Sequence, residues 1–314
     1  AGVEAAFRHL EREVARGRIA AYGVSSNTLA AAATDAGATD VARLHAAALR
    51  AGGERHSFRV VELPLNLLEG GGLGEAGAIA TAARLGLGVL VNRPLNAVDG
   101  AALLRLADLP PRAGEAPEVA PRLAELALLE GELRETFVPH LRTPGGGEPP
   151  EGLLAWAERL SATLDAVGSL EQWLELEQRV VRPHTRRVLD ALDRAFTGEL
   201  RQRWLAWRDR YVPALEAALA ALRERAADRS RERLAELRAA LAERFPPERR
   251  GEPLARLAVW TAASVPGVSS VLVGMRREPY VRGLVPLLAW PPLADPERAF
   301  LAPPTGASAR GEGG

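Results

Sequence analysis

Five consecutive residues, Leu87-Gly88-Val89-Leu90-Val91, carry no polar side chain, and the run stops abruptly at Asn92-Arg93-Pro94. A continuous apolar run of this length reads as a strand covered on both faces, as in a parallel sheet flanked by helices. Polar groups at the end of such a strand lie where parallel sheets present their ligands. Two earlier stretches have the same form. Arg18 to Val24 closes on Ser25-Ser26-Asn27, and Phe58 to Leu63 leads into Pro64-Leu65-Asn66. Between and before them lie segments of helical period. Val3, Phe7, Leu10 and Val14 share one helix face, a second helix spans about Asp40 to Arg50, and a third about Glu75 to Leu85. Ser25-Ser26-Asn27 also suits the N-cap of an alanine-rich helix. Strand and helix alternating at this spacing predict a parallel α/β sheet.

The rhythm changes between Asp99 and Arg250, where the sequence predicts long leucine-rich helices and no strand. Leu215, Leu219 and Leu222, then Leu234, Leu237 and Leu241, recur in steps of three and four. Ser169-Leu170-Glu171-Gln172 has the form of a capping box, Pro183 is expected to kink or end the helix it falls in, and Thr143 to Pro150 reads as a loop. Trp156, Trp173, Trp204 and Trp207 sit at helical spacing and read as core. His140 and His184 have no acidic partner at ligand spacing and read as structural. The α/β pattern returns with a helix over Pro253–Ser264, a strand over Val268–Gly274 and a helix from Pro279 toward Leu288. The organisation expected is a sheet segment over 1–98, an inserted helical bundle over 99–250, a second sheet segment over 251–298 and a disordered tail over 299–314.

Composition removes several chemistries. The chain of 314 residues has no cysteine, so disulfides, thiol nucleophiles and cysteine metal sites are excluded. It also has no lysine, which excludes a Schiff base or a P-loop lysine. Forty basic and forty acidic residues balance to zero net charge, offering no electrostatic footprint for nucleic acid or an anionic membrane. No signal peptide or membrane-spanning run is recognised, and the expected location is cytoplasmic.

The strand ends resemble those of the aldo-keto reductases. Gly17-Arg18-Ile19-Ala20-Ala21-Tyr22-Gly23-Val24-Ser25-Ser26-Asn27 is similar to that family's fifth strand, and Val60-Val61-Glu62-Leu63-Pro64-Leu65-Asn66-Leu67-Leu68 to its sixth. Val89 to Leu95 resembles the seventh, and Trp260 with Val265 to Gly274 the seventh helix and eighth strand. The four motifs occur in family order. The resemblance implies a partial (β/α)8 TIM barrel, strands five to eight, carrying an inserted all-α bundle, with its site at the C-terminal strand ends. Its interior-facing side chains would include Val60, Val89, Val91 and Val271.

At these positions the resemblance implies binding of NADP(H). Ser25 and Ser26, with Asn27 one place late, align with the pair that holds the nicotinamide carboxamide. Arg276 and Arg277, after Gly274, align near the segment that meets the adenosine 2′-phosphate, and Asn92 and Arg93 face the ligand end. Three departures stand out. Glu62 replaces a glutamine of the carboxamide site, Asn92 stands where a tyrosine stacks on the ring, and Arg282-Gly283 replaces an adenine-reading Glu-Asn pair. The family's catalytic Asp, Tyr, Lys and His come from its first four strands, so no catalytic residue carries over. The expectation is the C-terminal part of an NADP(H)-dependent oxidoreductase acting on a carbonyl or alcohol. The alternative is a non-catalytic barrel relative whose bundle is an interaction module. Either way the expected partner is the missing half of the barrel, or a second copy.

Overall fold

The computed structural model describes residues 2–31, 35–99, 102–112, 114–115, 117–141 and 153–301. The chain forms two compact units: one comprises residues 1–100, 105–108 and 236–314, the other 101–104 and 109–235.

The first unit is a four-stranded parallel sheet. Its strands are β1 (Tyr22–Ser25), β2 (Phe58–Pro64), β3 (Gly88–Asn92) and β6 (Ser270–Val271), in the order β1-β2-β3-β6. Helix α1 (Gly2–Ala15) precedes β1, α2 (Val41–Gly52) and α3 (Ala78–Arg84) make the next two crossovers, α9 (Leu254–Ser264) leads to β6, and α10 (Glu278–Leu284) follows it. Local chemistry sets the boundaries. Asp40 accepts from the Arg43 amide and caps α2, and Gly17 takes a left-handed φ of 69° just beyond α1. Ser26 caps only a short 3₁₀ turn, Asn27–Ala30, where the alanine-rich helix was expected; residues 32–34 fall outside the described set.

Helices α1, α2, α3 and α9 pack on one face of the sheet. Val61, Leu63, Val89 and Val91, each fully buried, join Phe7, Leu44, Ile79, Ala82 and Ala262 in a single core. Burying an aliphatic side chain in this way contributes about 2 kcal/mol. Val89 and Val91 therefore face the helices, and Val271 packs against the same cluster. That corrects the interior assignment for three of the four residues; only Val60 lies on the opposite face. The cause is the pleat: alternate residues point to opposite sides, so Leu90, and not its neighbours, shares a face with Val60. The described residues cover that opposite face less. Leu90, Val60 and Glu62 are half-buried, and Ser25 and Gly23 are exposed. The expectation of burial on both faces thus holds for one.

The terminal strand is shorter than expected, two residues in place of seven. Its hydrogen bonding reaches further, with the Ser269 and Leu272 amides donating to Val89 and Val91 carbonyls at 2.8 Å. At the C-terminus, residues 299–301 are structured where the expected disordered tail begins. Phe300 is 7% exposed in the sheet core, and the Leu301 amide donates to the Leu67 carbonyl at 2.7 Å. Residues 302–314 lie outside the described set.

The second unit is built from α4 (Val119–Thr136), α5 (Trp156–Thr163), α6 (Leu170–Leu176), α7 (Arg182–Ala195) and most of α8 (Gly198–Leu241). An all-helical insertion is not what forms. Strands β4 (Asn96–Asp99) and β5 (Ala102–Arg105) make a two-stranded sheet where the expected all-α segment begins in the sequence. The expected loop over 143–150 falls outside the described residues. Ser169 caps α6 through the Gln172 amide, while the Gln172 side chain reaches back to the Gly168 amide. Pro183 neither breaks nor ends the path. A π-helical turn over Glu177–Val181 leads directly into α7, where Pro183 lies in the first turn and needs no intrahelical donor. Trp156, Trp173, Trp204 and Trp207 are all core residues.

Candidate functional site

Three of the sequence-selected residues meet at the C-terminal ends of consecutive parallel strands. Glu62 Oε1, near the end of β2, accepts from Ser25 Oγ on β1 at 3.0 Å and from Asn92 Nδ2 on β3 at 2.8 Å. Register places them together: Ser25 lies opposite Glu62, Glu62 opposite Leu90, and Pro64 opposite Asn92. Gly23, Ser25, Val60, Glu62 and Leu90 line an open groove on the less covered sheet face. The floor of that groove requires glycine at position 23. The register shifts between Tyr22 and Gly23, and a Cβ there would lie 2.5 Å from the Val60 carbonyl oxygen.

The cluster retains free capacity. Asn92 Oδ1 is buried without a hydrogen-bond partner, and the second Glu62 oxygen takes none among the described residues. Ser25 Oγ and Asn92 Nδ2 are donors that can rotate toward a ligand. Ser26 is committed to its cap, with Oγ accepting from the Thr28 amide at 3.2 Å, and Asn27 is exposed in the turn that follows.

The other selected residues are arranged differently. Arg93 does not point free charge at the groove. Its Nη2 donates to Glu69 Oε1 at 2.9 Å, and its backbone takes a left-handed φ of 51°. That conformation, unusual outside glycine, is held by the Arg93 carbonyl accepting from the Asn96 amide and from Asn66 Nδ2. Asn66 is fully buried and organises the turn. Its Oδ1 accepts from the Leu68 and Glu69 amides, and its Nδ2 also reaches Glu69 Oε2 at 2.6 Å. Glu69 and Asn96 were not singled out in the sequence. The available signal was a lone carboxylate beside the glycine-rich turn. Gly274, Arg276 and Arg277 lie exposed in the loop after β6, and neither arginine has an ion pair among the described residues. The loop is separate in the chain from the Ser25–Glu62–Asn92 cluster, and no hydrogen bond joins the two.

Among the described residues, no group of three or more His, Asp or Glu is placed to hold a metal ion. No described helix is long and apolar enough to cross a membrane. Comparison of the chain with protein-family models, with curated proteins and with solved structures finds no match in any of the three.

Proposed function

We propose that this chain is the C-terminal part of an aldo-keto reductase-like oxidoreductase, and that it holds the nicotinamide end of NADP(H) at Ser25, Glu62 and Asn92. The supporting observation is the convergence of those three side chains at the ends of three neighbouring parallel strands, on the open face. A carboxamide presents two N–H donors and one acceptor. Asn92 Oδ1 and the free Glu62 oxygen would take the donors, and the Ser25 hydroxyl would serve the acceptor. Arg276 and Arg277 would meet the 2′-phosphate, for which a guanidinium fork is suited. The bound cofactor supplies the hydride chemistry. This chain's residues bind and orient it.

The acid that protonates or deprotonates the substrate oxygen is not supplied here. Of the three tyrosines, Tyr22 donates to Glu11 at 2.8 Å, Tyr211 is buried in the helical unit and Tyr280 is exposed in α10, outside the family's tyrosine motif; the chain has no lysine to tune any of them. The four-stranded sheet needs a covering segment, since Val60 and Leu90 present apolar surface on the open face. In the full protein that segment would be the other half of the barrel, carrying the catalytic groups. The altered residues at 62 and 92 favour one further reading, a non-catalytic relative whose helical unit binds a partner.

The test is a titration of the full chain with NADP(H), read by saturation-transfer NMR, beside a turnover assay with aldehydes and ketones. Binding lost in Ser25→Ala and Asn92→Ala, with no NADPH oxidation, is the expected result. Absence of binding defeats the cofactor assignment, and robust turnover defeats the assignment of catalysis to a missing segment.

A further inference from the structure

We infer that Glu62 makes this subsite selective for the oxidised form of the cofactor. The inference rests on the reading that Ser25, Glu62 and Asn92 hold the nicotinamide carboxamide. The carboxamide is the same in both redox forms, so hydrogen bonds to it cannot tell them apart. The forms differ in the ring, which is cationic when oxidised and neutral when reduced. A charge in the subsite discriminates on that basis.

Glu62 supplies such a charge without compensation. Its two hydrogen-bond donors, Ser25 Oγ and Asn92 Nδ2, are both neutral. No arginine or histidine pairs with it among the described residues. Arg93, the cation next to Asn92, is engaged by Glu69. The groove is open, so the interaction is partly screened. One unit charge opposite another in a half-solvated site is worth a factor of roughly five to ten in affinity. A glutamine at this position has the same length but no charge, and its changed hydrogen bonding to the carboxamide would affect both redox forms alike.

The experiment measures dissociation constants of NADP⁺ and NADPH for the full chain and for E62Q and E62D, by calorimetric or NMR titration. The expected result is a preference for NADP⁺ in the parent chain and in E62D. In E62Q the ratio of the two constants should shift toward NADPH by about fivefold. The parent's preference should also shrink as salt rises from 20 to 500 mM, a reading that needs no variant to fold. Both forms binding with a ratio unchanged in E62Q and insensitive to salt overturns the inference and leaves the carboxamide reading standing. Failure of both forms to bind overturns the inference and the carboxamide reading together.

Discussion

Tyr211 donates its hydroxyl to Glu130 Oε1 across 3.2 Å in the interior of the helical unit, where Tyr211 is fully buried and Glu130 is 2% exposed. Glu130 lies on α4 and also accepts from the Trp156 and Ala157 amides, so one carboxyl satisfies the first turn of α5. Burial pushes Glu130 up to about 7 against the opposing pull of these three donors. Burial and the neighbouring carboxyl together hold the Tyr211 phenol well above its ordinary range.

The first prediction follows from the sign of that shift. Below about pH 4.5 both folded and unfolded chains hold the Glu130 proton, and no ionisation penalty exists. As pH rises to 7 the unfolded chain releases the proton freely while the folded chain retains it, so stability falls, by about 3 kcal/mol in all. E130Q removes this dependence and leaves a pH-independent offset for its altered hydrogen bonds. Tryptophan fluorescence during urea unfolding reports this unit through Trp156, Trp173, Trp204 and Trp207. The stability of E130Q relative to the parent should climb between pH 4 and 8, and a flat difference rejects the burial argument.

A second prediction concerns Asn66. Its side chain holds two backbone amides, two carbonyl oxygens (Arg93 and Asn96) and the Glu69 carboxylate, with no exposure to water. Asn66→Ala strands these groups and is expected to cost about 3 kcal/mol of the sheet unit's stability. Asn66→Asp should be nearly as damaging, since it turns a donor to Glu69 into a like charge. If Asn66→Ala melts with the parent, the turn is not organised as described.

His56 gives a third prediction, of opposite pH sign to Glu130. It is 6% exposed, with its Nδ1 buried without a partner and its ring edge-on to His45 at 5.0 Å. Burial lowers its pKa first, and the positive charge of His45 and Arg59 lowers it further, against weaker attraction from Glu11 and Glu54. The unfolded histidine takes up a proton as pH falls through about 6.5, and the folded one resists. The sheet unit should therefore lose stability below pH 6.5. His56→Leu should flatten that loss, measured by hydrogen exchange at the β2 amides.

These residues show how far the sequence was legible. Parallel order and crossover helices could be read because strand runs, helix periods and a capping box such as that at Ser169 are local signals. The meeting of Ser25, Glu62 and Asn92 was legible only as three strand ends, since their hydrogen bonds depend on register. The orientation of Val89 and Val91 was not, because a continuous apolar run lacks the alternation that assigns faces. Nor was the Glu69–Arg93 pair, which arises from a left-handed residue and a turn built around Asn66. The buried tryptophans were read correctly as core, yet Glu130 passed unnoticed. Nothing local marks a glutamate in a helix as buried; its partners on α5 and α8 come from 26 and 81 residues away.

The last prediction separates the two faces of the sheet. Val91 is fully buried in the core shared with α3 and α9, while Leu90, one residue earlier, is half-buried on the open face beside Glu62. Val91→Ser removes buried aliphatic surface and leaves a hydroxyl in an apolar site, for about 3 kcal/mol. Leu90→Ser forfeits only the covered part of its side chain, about 1 kcal/mol or less. The same face carries the drive to associate. Val60 and Leu90 expose apolar surface beside β1 and β6, whose outer edges pair with no described strand and can add one. The isolated chain should therefore scatter light as a concentration-dependent oligomer and bind a hydrophobic dye. A Val60→Ser, Leu90→Ser double variant should reduce dye binding without unfolding the chain. Dye binding unchanged in that variant, or Leu90→Ser as damaging as Val91→Ser, would show that the face assigned as open is covered.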